Sequence, residues 1–146
     1  VMILADQKPD TTSGGPSVVG DNIRDLNTVI KNTIAGASLS ANRVQLPLGS
    51  YFILATVPSY HSGQAKSYLF NYTDTLVEVT GSSSYSANGS DAAAVSTILD
   101  AFTIPATKQF ELKLTTVGAI AINGLGVASS SGLVEVYSQV YIAKIG

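Results

Sequence analysis

The chain has 146 residues with no cysteine, no tryptophan, one methionine and one histidine. Without cysteine it can form neither a disulfide framework nor a thiolate metal site. The single histidine, His61, leaves too few ligands for an ordinary zinc site within one chain. We therefore expect no metal and no cofactor.

Charge is also scarce, because Asp, Glu, Lys and Arg make up only 12% of the residues, about half the usual quarter. The eight Lys and Arg residues are scattered and the formal net charge is −2, whereas nucleic-acid-binding domains usually carry a basic stripe. We expect no nucleic-acid partner. A low charge density is typical of chains that cover part of their surface in an oligomer.

Long apolar runs are absent as well, so the sequence predicts no transmembrane helix and no membrane insertion. The apolar start, residues 1–5, is too short for a signal peptide and is followed by Asp6. Because the first residue is Val rather than Met, we expect an excised or processed piece, or a start that differs from the start of the gene.

The pattern that is present is one of short strands. Residues 109–115 alternate cleanly, with Phe110, Leu112 and Leu114 on one side and Glu111 and Lys113 on the other, and turn residues recur about every 8–12 positions. No amphipathic helix is evident. The sequence predicts one domain over residues 1–146, an all-β antiparallel jelly-roll sandwich of about 8–10 strands. Residues 1–20 are expected to be a loosely structured opening segment, in which residues 1–5 could form a short strand that ends at Asp6, and residues 81–91 a flexible loop.

Two strands carry more information than the rest. Residues 51–57 are apolar on both faces, which predicts core on one side and a partner or second layer on the other. Residues 132–145 alternate between two faces. The first face is aliphatic, with Val134, Val136, Val140 and Ile142, and we assign it to the core. The second is richer in tyrosine, with Leu133, Glu135, Tyr137, Gln139 and Tyr141, and suits a subunit interface.

Catalytic signals are weak throughout. His61 lies in a loop with nothing to mark an orienting carboxylate or a nucleophile. The ten carboxylates are dispersed, and no pair suggests glycosidase chemistry. An enzyme such as a polysaccharide depolymerase is therefore disfavoured. Tyr60 and Tyr85 lie in predicted loops, where their rings are able to stack on a sugar.

Four segments, in order, resemble a known family. Residues 24–28 are similar to its "R.LNt", residues 46–58 to "LPAGTY.I.ASAP", residues 69–74 to "arLyNvTd", and residues 124–137 to "GlGva…gevEVY". The chain thus resembles the C-terminal jelly-roll domains of bacteriophage fibre and virion-surface proteins, which are similar to tumour necrosis factor and complement-type heads. One departure is that residues 61–66 lack much of the charge of the family's basic "grHkaRL" stretch.

The resemblance implies a homotrimer on a virion surface. Candidate interface residues are Tyr51, Ile53, Leu133, Tyr137 and Tyr141. Candidate receptor-binding residues in the loops are Tyr60, His61, Gln64, Tyr85 and Asn88. The function it favours is the distal head of a phage tail or head fibre, which binds a host-surface glycan or protein receptor. The alternative is a trimeric decoration or cement protein that binds the phage capsid protein and stabilises the head.

Overall fold

The computed structural model describes all residues from Val1 to Gly146, which form eleven strands and no helix. In chain order these are β1 (Met2–Lys8), β2 (Gly20–Ile23), β3 (Thr28–Asn32), β4 (Ser38–Ser40), β5 (Arg43–Leu46), β6 (Gly49–Tyr60), β7 (Gly63–Asn71), β8 (Leu76–Ser86), β9 (Ala93–Ile104), β10 (Lys108–Thr116) and β11 (Glu135–Lys144). No helix of the chain is long and apolar enough to cross a membrane.

The strands form two antiparallel sheets. The first sheet has the order β3-β1-β11-β6-β9. The second has the order β4-β5-β10-β7-β8, with β2 also paired to β10. The predicted all-β antiparallel jelly-roll sandwich is confirmed. The strand count exceeds the prediction partly because the short strands β2 and β4 were not expected.

The core lies between the inner faces of the sheets and contains 22 buried hydrophobic residues. Its aromatic part is a chain of three rings, in which Phe102 lies 5.7 Å from Tyr51 and 5.6 Å from Phe110 between centroids. The inward prediction for Phe110, Leu112 and Leu114 is confirmed, since none of the three is exposed. Burial of this apolar surface is the main stabilising contribution to the protomer.

The prediction that residues 1–20 are loosely structured is wrong for residues 2–8. These residues form β1, which pairs with both β3 and β11, and Met2 and Leu4 are fully buried. Asp6 does not end the strand, because its carboxylate accepts hydrogen bonds from Lys8 Nζ at 2.9 Å and from Asn27 Nδ2 at 3.1 Å.

The prediction that residues 81–91 form a flexible loop is wrong for the first six of them. β8 continues to Ser86, and its small polar residues are paired across the sandwich. Ser96 Oγ donates to Ser82 O at 2.6 Å, and Thr97 N donates to Ser82 Oγ at 2.9 Å. Serine composition resembles that of a loop, but these hydroxyls join β8 to β9.

The chain ends and the predicted binding loops lie at opposite ends of β6. At one end Met2 pairs with Ile142, and Ser50 N donates to Gly146 O at 3.0 Å. At the other end His61 N donates to Ala92 O at 3.0 Å. β6 has 12 residues, which corresponds to roughly 40 Å of extended strand. We call the end that carries the 61–62 and 87–92 turns the distal end.

Candidate functional site

The outer surface of the first sheet carries a row of apolar side chains. Pairing across β1, β11, β6 and β9 aligns Ile3 with Tyr141, Tyr141 with Leu54, and Leu54 with Leu99. Leu54 is 40% exposed and Leu99 is 66% exposed. Neighbours in a row across a sheet are in contact, so these four side chains form one continuous surface.

The apolar surface continues toward the distal end, where Val95 is 53% and Val136 40% exposed. We call the six residues Ile3, Leu54, Val95, Leu99, Val136 and Tyr141 the apolar face. Between them lie uncharged residues such as Thr56 and Gln139. A continuous apolar surface without charge is typical of a protein–protein contact.

A groove of about 640 Å³ lies at the distal part of the apolar face. Val95 and Val136 line it, together with Leu133 from the segment before β11. Its wall is fixed by Glu135, which accepts hydrogen bonds from Ser129 N at 3.0 Å and Ser130 N at 2.9 Å. These two N–H groups lower the pKa of Glu135 below its ordinary value, and the Ser129 hydroxyl adds to the effect.

Two of the five predicted interface residues lie in the core, so their placement on an interface is wrong. Tyr51 and Ile53 are 0% exposed and belong to the core, because they occupy the inward positions of β6 while Leu54 occupies the outward one. Tyr51 is also engaged within the protomer, since its hydroxyl donates to Pro47 O at 2.6 Å. Neither side chain is available to a second chain.

Of the other three predicted interface residues, one is buried within the protomer and two lie at its surface. Leu133 is 69% exposed and Tyr141 is half-buried on the apolar face. Tyr137 is only 7% exposed, and its hydroxyl donates to Thr12 O at 2.6 Å. The placement of Tyr137 on an interface is therefore wrong, whereas that of Leu133 and Tyr141 stays a prediction.

A β-bulge explains why the two-face assignment of the last strand failed. Ala5 pairs with Gln139 but Gln7 pairs with Val136, so Tyr137 and Ser138 together stand opposite Asp6. Both bulge residues point inward, and the alternation inverts there. Val136, assigned to the core, is exposed, whereas Val140 and Ile142 are buried as expected.

A buried charged group lies beneath the bulge. Arg24 is 0% exposed, and it donates to Ser138 Oγ at 3.1 Å and to Leu125 O at 2.7 Å. Burial lowers the pKa of Arg24 to about 10, and the nearby carboxylates of Asp6 and Asp25 oppose this. Burial likewise raises the pKa of Asp6, against the hydrogen bond from Lys8. Because this arginine is held by both β11 and the 125 segment, it fixes the bulge in place.

The distal turns bring two of the predicted receptor-binding residues together. The Tyr60 and His61 rings stack with centroids 3.9 Å apart. Tyr60 Oη donates to Asp91 Oδ1 at 2.9 Å, which raises the pKa of Tyr60, and His61 Nε2 lies 3.5 Å from the same oxygen. His61 has a φ of 56°. These contacts tie the 87–92 turn to the end of β6.

The other three receptor-binding candidates lie nearby. Gln64 and Tyr85 are direct partners across β7 and β8, and Tyr85 is 63% exposed. Asn88 is exposed in the turn that follows β8. All five candidates are thus at the distal end, and their role in binding stays a prediction.

The outer face of the second sheet is charged and differs from the apolar face. Glu111 pairs with Arg43 Nε at 3.0 Å and with Lys113 Nζ at 3.6 Å. The two cations also lie over aromatic rings, Arg43 over Tyr72 at 3.5 Å and Lys113 over Phe70 at 3.8 Å. We call these five residues the charged face. Its ionic groups have partners within the protomer.

Chemistry beyond binding has no visible support in the arrangement. No three His, Asp or Glu side chains are grouped so that they would hold a metal ion. His61 Nε2 lies 3.5 Å from Asp91 Oδ1 and has no hydrogen-bond partner.

Sequence reasoning missed Ile3, Leu54 and Leu99 as candidate site residues. The signal for Leu54 was present, because residues 51–57 are apolar on both faces. The wrong one of these two faces was assigned to the core. Nothing in the sequence around Ile3 or Leu99 indicated that these two side chains would lie in the same row across the sheet as Leu54.

Comparison with known proteins supports the fold and no more. No protein-family model matches the chain, and no curated protein sequence matches it. Among solved structures, the crystal structure of murine APRIL at pH 8.5 is similar with a TM-score of 0.55 and 12% sequence identity, over 99% of this chain and 98% of that chain. APRIL is a member of the tumour necrosis factor family. The likeness shows that the jelly roll is arranged as in that family.

Proposed function

We propose that the protein is a non-enzymatic, homotrimeric binding protein whose three apolar faces meet around a common axis. The observation that carries this is the contrast between the faces: the row from Ile3 to Leu99 is exposed and uncharged, whereas the charged face is internally paired. Covering such a row is favourable by roughly 25 cal/mol for each Å² of apolar surface removed from water. The fold shared with APRIL is consistent with this assembly.

We further propose that the trimer is the distal head of a phage tail or head fibre and binds a receptor or glycan on the host surface. The placement of the chain ends and the candidate loops at opposite ends of the protomer supports this assignment. Its two chain ends lie at one end of β6, and Tyr60, His61, Gln64, Tyr85 and Asn88 lie at the other. A head attached through the first end presents three copies of the distal loops, so weak individual affinities combine into avidity.

A capsid decoration or cement protein is the second candidate. It is favoured by apolar side chains in the loops, since Val19 is 68% and Ile122 71% exposed. Ser17 pairs with Ile120, which brings these two loop segments together. Exposed aliphatic groups suit a flat protein partner better than a sugar.

Light scattering after gel filtration tests the assembly. We expect a particle of three 15.1 kDa chains. A protein that stays monomeric at all concentrations would contradict the proposed trimer. Assembly through the charged face, seen as dissociation on altering Glu111, would contradict the proposed interface.

Gold-labelled antibody on intact virions, viewed by electron microscopy, separates the two roles. Label at fibre or tail tips supports the receptor-binding head, and label spread over the capsid supports the decoration protein. Virions without label at either place would overturn both.

A further inference from the structure

A small groove on the outer surface of the second sheet, at the distal end, is not used by the trimer proposed above. It has a volume of about 300 Å³ and lies across β10, β7 and β8. Pairing places Lys66 between Thr115 and Ser83, and Gln64 beside Tyr85. The Gly-Ser run in β8 creates the space, because Ser83 and Ser84 are too small to fill it.

Four polar side chains of this groove lack partners within the protein. Gln64, Lys66, Ser83 and Thr115 form no side-chain hydrogen bond or ion pair, whereas Ser84 Oγ donates to Ala65 O at 3.2 Å and Thr116 Oγ1 donates to Val18 O at 2.8 Å. The charged face on the same sheet is different, since its ionic side chains are paired. An amide, an ammonium and hydroxyls thus converge on one concavity beside an exposed tyrosine ring.

We propose that this groove binds an acidic saccharide, such as a glycan that contains a uronic or sialic acid. The Tyr85 ring offers a flat surface for the C–H face of a pyranose. Gln64, Ser83 and Thr115 offer donors and acceptors for its hydroxyls, and the Lys66 ammonium pairs with its carboxylate. The proposal rests on the host-binding function and names the class of ligand.

The chemistry of the groove argues against other ligands. One lysine does not make the basic stripe that nucleic acid requires. A protein partner would need buried apolar or aromatic anchors, and Val117 is the one large aliphatic residue that lines the groove. Lys66 favours an acidic over a neutral sugar, because no carboxylate lies within ion-pair distance of it. Asp21, which is opposite Thr115, lies two strands away.

Ligand-observed NMR on the assembled protein tests the groove, with tetragalacturonate as the acidic probe and maltotetraose as the neutral one. We expect the acidic probe to bind more tightly and Lys66→Gln to weaken it about tenfold, the effect of one charge-assisted hydrogen bond. Tyr85→Ala should weaken both probes. Lys144→Gln is the matched control, because Lys144 is exposed at the end of β11, far from the distal end.

Three results would overturn the proposed binding in the groove: neither probe binds, both bind equally, or Lys66→Gln and Lys144→Gln have the same effect. Adsorption of the trimer to host cells, measured in parallel, distinguishes a failure of the groove proposal from a failure of the proposed host-binding function. If the wild type adsorbs and the double variant Lys66→Gln/Tyr85→Ala adsorbs equally well, only the groove is wrong. If the wild type does not adsorb, host binding is wrong.

A separate observation concerns the two Asn-Gly pairs, for which the structure assigns different chemical fates. Asn88 is exposed, and Gly89 has a φ of 85° with no atom within 4 Å of the position where a Cβ would stand. Asn123 O, in contrast, accepts from Gly126 N at 3.0 Å, and Gly124 packs against Ser17 and Ile120. Only the first pair has the freedom to cyclise.

Asn88 is therefore a deamidation site. The Gly89 backbone nitrogen attacks Asn88 Cγ, a C–N bond forms and the side-chain amide leaves as ammonia. Water then opens the succinimide at either carbonyl, which gives aspartate or isoaspartate. The new carboxylate lies three residues from Asp91, in the turn held by Tyr60.

Peptide mapping by mass spectrometry after incubation at mildly alkaline pH tests this site. We expect the amide-to-acid mass gain at Asn88 well before Asn123, and we expect Gly89→Ala to slow it. Equal rates at the two asparagines, or an unchanged Asn88, would overturn the inference.

Discussion

The outer faces of the two sheets are made of similar antiparallel strands with opposite side chains. On the second sheet Glu111, Arg43 and Lys113 pair with one another and with aromatic rings. On the first sheet the corresponding positions are Ile3, Tyr141, Leu54 and Leu99, and they have no partner beyond their own row. In both sheets most inward positions are apolar.

The difference teaches that hydrophobic alternation locates the core but not the interface. A surface that is stable in water satisfies its polar groups within the protomer, as the charged face does. A surface that presents only aliphatic and tyrosine side chains gains by being covered. The outward residues therefore distinguish a solvated sheet from a sheet that binds another chain.

The largest expected effect is on assembly, from Leu54→Asp. In the proposed trimer this change leaves an uncompensated buried charge, which costs roughly 3–5 kcal/mol. We expect monomers by light scattering while circular dichroism still reports a folded β protein. Val77→Asp is the matched control, because Val77 is 50% exposed on the second sheet. If both variants dissociate, or neither does, the two faces do not differ as we describe.

Two adjacent residues of β6 test whether the inward side chain stabilises the protomer and the outward side chain stabilises the assembly. Ile53→Ala empties a buried site and should lower the free energy of unfolding of the protomer by about 2–5 kcal/mol. Leu54→Ala should leave protomer unfolding nearly unchanged and weaken association. Denaturant titrations, performed on a background that is already monomeric, separate the two. Equal losses of stability would show that Leu54 also belongs to the core.

A buried acid of the first sheet, Glu135, gives a test in pH. The pKa of Glu135 is lowered from its ordinary value of 4.5, chiefly by the Ser129 and Ser130 N–H groups. Its folded pKa thus lies below its unfolded one, so its contribution is present above about pH 4.5 and is lost as the pH falls through the folded pKa. We expect Glu135→Gln to flatten the acid side of a stability profile measured by thermal melting. A profile that keeps its acid side would contradict this.

The smallest expected effect is that of salt. Arg43→Ala should lower the free energy of unfolding only slightly, and 1 M NaCl should reduce the difference from wild type because it screens ion pairs. Association through the apolar face should not weaken in the same salt. A trimer that dissociates at high salt would show that charges hold it together.

Much of the fold could be predicted from the sequence. The period of two in residues 109–115 and the short apolar runs indicated an antiparallel sandwich. The loop assignments failed at β1 and β8 because Asp6 and the serines of β8 have partners far along the chain, and such partners are not visible locally. Composition predicts a loop only where polar groups are left to water.

Less of the candidate site could be predicted. A strict alternation assigns Val136 and Tyr137 correctly only if the strand has no bulge. This bulge stands opposite Asp6 and is held by Arg24, which donates to Ser138 Oγ from 114 residues earlier in the chain. Tyr51 and Ile53 were misassigned because residues 51–57 are apolar on both sides, so that parity alone does not separate core from surface. The candidates at the distal end could be predicted without knowing which side of a strand faces the core, because they lie in or next to the turns that end the strands.

The first and last strands of the chain are neighbours inside the first sheet, with β11 between β1 and β6. During synthesis the ribosome therefore releases β1, β6 and β9 before the strand that joins β1 to β6 exists. Arg24 precedes its hydrogen-bond partner Ser138 by 114 residues. The contact that buries its charge is therefore among the last to form. Such long-range closure slows folding. Until β11 is in place, the first sheet consists of two separate strand pairs, β3-β1 and β6-β9, while the second sheet already has all its strands.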